Sequence, residues 1–135
     1  MPSDFTLTRR VQFAETDMAG VMHFAAYLRW MEETEHAFFR SMGLSIMTRH
    51  DGREIGWPRV HASCEYFAPI RFEDEVEIRL RLMSLGERTM TYEATFHHRD
   101  RKVARGRVKA VCCEVTEQGF EAIPIPDHIR ASLQA

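Results

Sequence analysis

The chain concentrates its reactive groups in one short stretch, Glu15-Thr16-Asp17-Met18-Ala19-Gly20-Val21-Met22-His23-Phe24, where two carboxylates, a glycine and a histidine precede an apolar run at helical spacing. By residue type alone, Asp17 is a turn or helix-entry acid whose charge suits the positive end of the helix that follows. The first turn of such a helix leaves backbone N–H groups unpaired and partly positive, a natural partner for a developing oxyanion. Gly20 permits a tight turn just ahead of them, and His23 stands where a capping or solvent-facing histidine would. Other candidate clusters fail on spacing. Glu33-Thr34-Glu35-His36 spells Glu-x-x-His, which di-iron bundles carry on two helices and this chain carries once. His97-His98 and Cys112-Cys113 are adjacent pairs, and neighbours on a strand point to opposite faces, so neither pair can share a metal. No metal and no cofactor are expected. With no G-x-S-x-G, P-loop or G-x-G-x-x-G, serine-hydrolase, nucleotide-phosphate and dinucleotide chemistry have no local support.

These groups must be held by the elements around them. The odd positions from Phe5 to Phe13 alternate with polar ones, which predicts a half-buried strand leading to the Ala14–Met22 loop. Phe24, Tyr27, Leu28, Met31, Phe38 and Met42 then recur at three-and-four spacing, a buried helical stripe that Trp30 and Phe39 widen and Gly43 ends. A connection containing Gly52, Gly56 and Pro58 follows, then alternating runs at Val60–Tyr66, Val76–Leu82, Met90–Phe96 and Val103–Val115. The last two of these are joined as a hairpin by Arg99 to Lys102. Gly119 and the Pro124 and Pro126 pair close the sheet, and Asp127 caps a short helix reaching Leu133. One strand, one long helix and four strands on short turns favour an α+β fold with an antiparallel sheet.

At 135 residues, 44% hydrophobic and 28% charged, the chain suits a single domain over 1–135 that needs no disulfide to fold. Its 18 basic and 20 acidic side chains give a net charge of -2, which offers no general attraction to nucleic acid or anionic lipid. No apolar run approaches membrane-spanning length, the first residues lack signal-peptide features, and three cysteines make no disulfide framework, so a cytoplasmic location is expected.

Two blocks carry a family likeness. Phe13 to Trp30, with its Thr16-Asp17, Gly20 and Tyr27 in register, resembles the 4-hydroxybenzoyl-CoA thioesterase family of hotdog-fold enzymes. Glu65-Tyr66-Phe67-Ala68-Pro69-Ile70-Arg71-Phe72-Glu73-Asp74-Glu75-Val76 resembles that family's second block, and Pro124-x-Pro126 its ending. The resemblance implies a hotdog fold, in which a five-stranded antiparallel sheet wraps one long central helix. It also implies a homodimer or homotetramer, with the active site across a subunit interface.

The activity it implies is hydrolysis of a small to medium acyl-CoA thioester, aromatic acyl groups included. Asp17 would be the nucleophile or the base that activates water, and the Phe24 N–H the oxyanion donor, with His23 as the neighbouring possibility. Close bacterial relatives often carry Tyr-His where this chain has His23-Phe24, so the imidazole stands one position earlier. Tyr27 and Trp30 are candidates for the acyl pocket or for the core, and Glu32 or Glu33 for an active-site acid on the helix. Arg88, which follows the Gly86 turn, is the chosen coenzyme A contact among Arg59, Arg88, Arg99, Arg101, Lys102 and Arg105. Two rival readings keep the fold: a hydratase or dehydratase using His23 with Glu33, and a non-catalytic acyl-CoA-binding protein.

Overall fold

In the computed structural model, which describes residues 4–134, alternation of side chains produces a sheet with one inward apolar face. Strand β1 (Asp4–Arg10) is followed by a single 3₁₀ turn at Phe13–Glu15 and by helix α1 (Phe24–Ser41). Two short strands come next, β2 (Thr48–His50) and β3 (Arg53–Gly56), then β4 (Arg59–Tyr66), β5 (Glu75–Leu85), β6 (Thr89–His98) and β7 (Arg101–Val111). Strands β8 (Cys113–Thr116) and β9 (Gly119–Ala122) and helix α2 (Asp127–Gln134) complete the described chain. The main sheet is five-stranded in the order β1-β5-β6-β7-β4, with every neighbouring pair antiparallel. The fold is therefore mixed α+β with antiparallel sheets, as expected.

Val76, Ile78, Leu80 and Leu82 on β5 and Met90, Tyr92, Ala94 and Phe96 on β6 are buried. They form one core with Ala26, Tyr27, Trp30, Met31, Phe38 and Phe39 of α1. Gly106 of β7 supplies the closest approach, since a Cβ there would run into the Met31 thioether and lie 3.1 Å from the Ser63 carbonyl. The helix stops at Gly43, whose φ of +74° suits a residue without a side chain. None of the helices in the described residues is long and apolar enough to cross a membrane.

Five expectations need correction. The first strand ends at Arg10, not Phe13, because the Glu15 N–H donates to the Gln12 carbonyl and the Gln12 N–H to the Glu15 carboxylate, both at 2.9 Å, which turns the chain and leaves Phe13 exposed. The glycine-rich connection contains the β2–β3 hairpin, turned by Asp51 and Gly52 at φ +51° and +76°. The run Val103–Val115 is two strands: Cys112 leaves the main sheet to bond the Arg88 carbonyl at 2.7 Å, and β8 starts a second sheet, β2-β3-β8-β9. Gly119 opens β9 of that second sheet and does not end the strands. Phe24, counted in the buried stripe, is 64% exposed, since it stands at the first position of α1 with its ring stacked on His23 at the cavity rim.

Candidate active site

The Asp17 loop is closed on itself before it reaches the helix. Thr16 bridges Met22, the Asp17 N–H donates to the Val21 carbonyl at 2.9 Å, and the Gly20 N–H donates to the Asp17 carbonyl at 3.0 Å. Gly20 makes this possible with a φ of +80°, where a side chain would be strained. The Met22 N–H then donates to the Ile70 carbonyl at 2.7 Å, which fastens the loop to the segment after Pro69.

The two loop acids have different surroundings. Glu15, read from sequence as a solvated or supporting acid, is a supporting one. Its carboxylate accepts from the Gln12 N–H at 2.9 Å and from the Trp30 indole N–H at 2.6 Å, and it pairs with Arg9 at 3.4 Å. Asp17 is half-buried, and only its Oδ1 is bonded, accepting from the Ala19 N–H at 2.9 Å. Its Oδ2 takes no partner among the described residues.

At the helix start, His23 is the N-cap: its Nδ1 accepts from the Ala25 N–H at 3.1 Å, and its ring stacks on Phe24 at 4.5 Å. The capping role foreseen for this histidine is the one it plays. Its own N–H donates to the Glu15 carbonyl at 2.8 Å, and its carbonyl accepts from the Ala26 N–H at 2.9 Å. Of the two backbone donors proposed from sequence, only the Phe24 N–H is left without a partner among the described residues.

Both groups border one cavity of about 360 Å³. Asp17, Val21 and Met22 form its loop side, Phe24 and Tyr27 its helix side, and Tyr66 with Phe67, Ala68 and Pro69 the side of the sheet end. Tyr27 is nearly fully buried, edge-on to Tyr66 at 4.9 Å and to Phe96 at 5.3 Å. Burial, followed by the nearby Cys64 and Tyr66, pushes its hydroxyl up to about 12, so it stays neutral. Trp30 does not line the cavity; it is fully buried and bonded to Glu15. Sequence reading missed Tyr66 through Pro69 as wall residues, although they stand in the second family block.

The remaining candidates lie elsewhere. Arg88 sits in the turn between β5 and β6, half-exposed, with Glu87 at 3.8 Å. The cavity is at the other end of β6, beyond Phe96, and the strand from Thr89 to Phe96 separates the two by about 23 Å. Glu33 pairs with Arg9, so the His23 and Glu33 partnership of the hydratase reading is not formed. Glu32 lies 3.8 Å from Arg59, which also grips the buried Glu35. No group of His, Cys, Asp and Glu among the described residues could hold a metal ion.

The antiparallel α+β fold, with an acid-bearing loop and the start of its long helix lining one cavity, is shared with thioesterases. The chain belongs to the thioesterase-like superfamily, whose family model matches residues 11–133. The resemblance carried by the two sequence blocks is thereby borne out. Among its relatives, a protein described as a putative esterase from Aquifex aeolicus is 35% identical over 121 residues, 89% of this chain and 91% of that protein. A 1,4-dihydroxy-2-naphthoyl-CoA hydrolase of Synechococcus elongatus is 28% identical over 98% of this chain and 96% of its own. The solved structure of a 1,4-dihydroxy-2-naphthoyl-CoA thioesterase from Synechocystis superposes with a TM-score of 0.86 at 25% identity, covering 97% of this chain and 96% of that one.

Proposed function

We propose that this protein hydrolyses an acyl-CoA thioester to the free acid and coenzyme A, with Asp17 as the reacting carboxylate and the Phe24 N–H as the oxyanion donor. The observation that carries the reading is that an underused carboxylate oxygen and an unpartnered helix-start amide belong to residues lining one cavity. As a base, Asp17 takes a proton from water while the hydroxide oxygen adds to the carbonyl, and the tetrahedral oxyanion collapses by expelling the coenzyme A thiolate. As a nucleophile, its carboxylate expels the thiolate directly, and water then opens the resulting anhydride. Gly20 shapes the loop, and His23 caps the helix and keeps the donor turn in place. Tyr27 with Phe24, Tyr66 and Phe67 offers an aromatic wall, which suits an aryl acyl group of the kind in the naphthoyl-CoA relatives' names.

The same reading takes residues 1–135 as one hotdog domain in the cytoplasm, its sheet wrapping α1, and assembled as a homodimer or homotetramer. Strand β4 is the support: it is a sheet edge, and Val60, Ala62 and Tyr66 on it are exposed, as is Leu28 on the neighbouring side of α1. A second copy on that edge would cover the open side of the helix. The test is a panel of aliphatic and aryl acyl-CoAs, with release of free thiol followed for wild type and Asp17→Asn. Turnover of at least one substrate, slowed about 100-fold or more in the variant, is expected. A variant with the wild-type rate would remove Asp17 from the mechanism, and tight acyl-CoA binding without any turnover would favour the non-catalytic reading.

A further inference from the structure

The donor amide stands at the end of a helix, where peptide planes are held by fewer hydrogen bonds than in the interior. Here the first planes are gripped from outside. The peptide joining Phe24 to Ala25 is held at both ends: its carbonyl accepts from the Tyr66 hydroxyl at 2.9 Å, and its N–H donates to the His23 ring at 3.1 Å. Tyr66 is itself anchored from the sheet. It is the last residue of β4, opposite Ala104 of β7, and the next N–H, that of Phe67, donates to the Val103 carbonyl at 2.8 Å. Its ring rests edge-on against the buried Tyr27.

We propose that Tyr66 is a positioning residue for the reaction: by donating to the Phe24 carbonyl, it ties the sheet to the tip of α1 and limits rotation about the Phe24 backbone, through which the His23–Phe24 peptide carrying the donor N–H is held toward the substrate oxygen. This rests on the thioesterase reading and adds a residue to it. The Tyr66 ring packs on Tyr27 whether or not its hydroxyl is present, so this one hydrogen bond adds little to global stability. What the contact changes is the freedom of the one turn that carries the unpartnered amide. Burial, then the neighbouring Cys64, pushes the Tyr66 hydroxyl up to about 12, so it remains a donor throughout the range in which hydrolysis would be assayed.

The experiment is steady-state kinetics of Tyr66→Phe and Tyr66→Leu beside wild type and Asp17→Asn, on the best substrate of the acyl-CoA panel, with thermal melting of each. Loss of the hydroxyl alone should lower kcat about tenfold while KM moves less than about twofold, because a misdirected donor weakens the transition state more than the bound substrate. The melting midpoint of Tyr66→Phe should stay within about 2 °C of wild type. Tyr66→Leu also removes an aromatic wall of the cavity and should raise KM in addition. Wild-type kcat in Tyr66→Phe, with Asp17→Asn inactive, would overturn the positioning role and leave the thioesterase reading standing. A kcat loss matched by a large drop in melting midpoint would mark a merely structural contact and overturn it as well. If wild type itself turned over nothing, both would fall together.

Discussion

Two carboxylates separated by one residue end up with opposite duties because their hydrogen bonds differ. Glu15 has its oxygens engaged by a backbone amide, an indole and a guanidinium, while Asp17 keeps one oxygen unengaged beside a cavity. Nothing in the local sequence separates them, and Asp17 was singled out only through the family block. A third acid, Glu35, is buried to 1% exposure, and burial pushes its carboxyl above the ordinary range even though Arg59 of β4 pulls the other way. Both terminal nitrogens of the Arg59 guanidinium bond it, so the pair pins the middle of α1 to the sheet edge. Removing Arg59 strands Glu35 without solvent. Arg59→Ala is expected to cost about 3 kcal/mol in urea unfolding, and adding Glu35→Gln should recover a large part of it. A single variant within about 0.5 kcal/mol of wild type would show that the pair is not the tie described here.

At the scale of elements, legibility followed burial. Strands β5, β6 and β7 and helix α1 bury one face each, so their periods of two and 3.6 stand out in the residues. The β2–β3 hairpin has no apolar alternation, and its one local signal, Asp51-Gly52, was read as a plain connection. The β7–β8 boundary shows in the residues only as a slip of phase: buried even positions run from Ala104 to Cys112, and Cys113 beside it is buried as well, which apolar character alone does not distinguish from one long strand. The sheet-end wall of the site was equally hidden: Tyr66 to Pro69 meet the Asp17 loop only once Met22 is bonded to Ile70. Gly106 illustrates what element packing demands, since Met31 fills the space a side chain would take. Gly106→Ala drives its Cβ into the buried Met31 thioether and sets it 3.1 Å from the Ser63 carbonyl, and should cost about 1 kcal/mol as Met31 shifts within the core. Gly106→Val adds two methyl groups at the same spot and should destabilise by about 3 kcal/mol, measured by urea unfolding. Equal stability of the two variants would mean that the helix does not sit this close to β7.

For the whole molecule, the distance between Arg88 and the cavity turns an unresolved residue assignment into a question of assembly. An arginine side chain alone spans far less than the roughly 23 Å of β6 that separates them, so within one chain Arg88 could meet coenzyme A bound at Asp17 only if the pantetheine arm ran the length of the sheet. A second copy paired antiparallel along β4 has its own β4 running the other way, which brings its β5–β6 turn toward this chain's Tyr66 end. Each active site would then take Asp17 from one subunit and Arg88 from the other. This can be read by complementation. Asp17→Asn alone should be inactive, and Arg88→Ala alone should show a kcat/KM lowered about tenfold. When the two variants are unfolded together and refolded, half of the dimers are mixed, and each mixed dimer has one site with both residues intact. Activity should therefore return to about a quarter of the wild-type kcat/KM per chain, well above either variant refolded alone. Sites completed within one chain give no such recovery, because every chain carries one defect. Activity equal to the average of the separate variants would thus confine Arg88 to a role outside the site, whatever oligomer the protein forms.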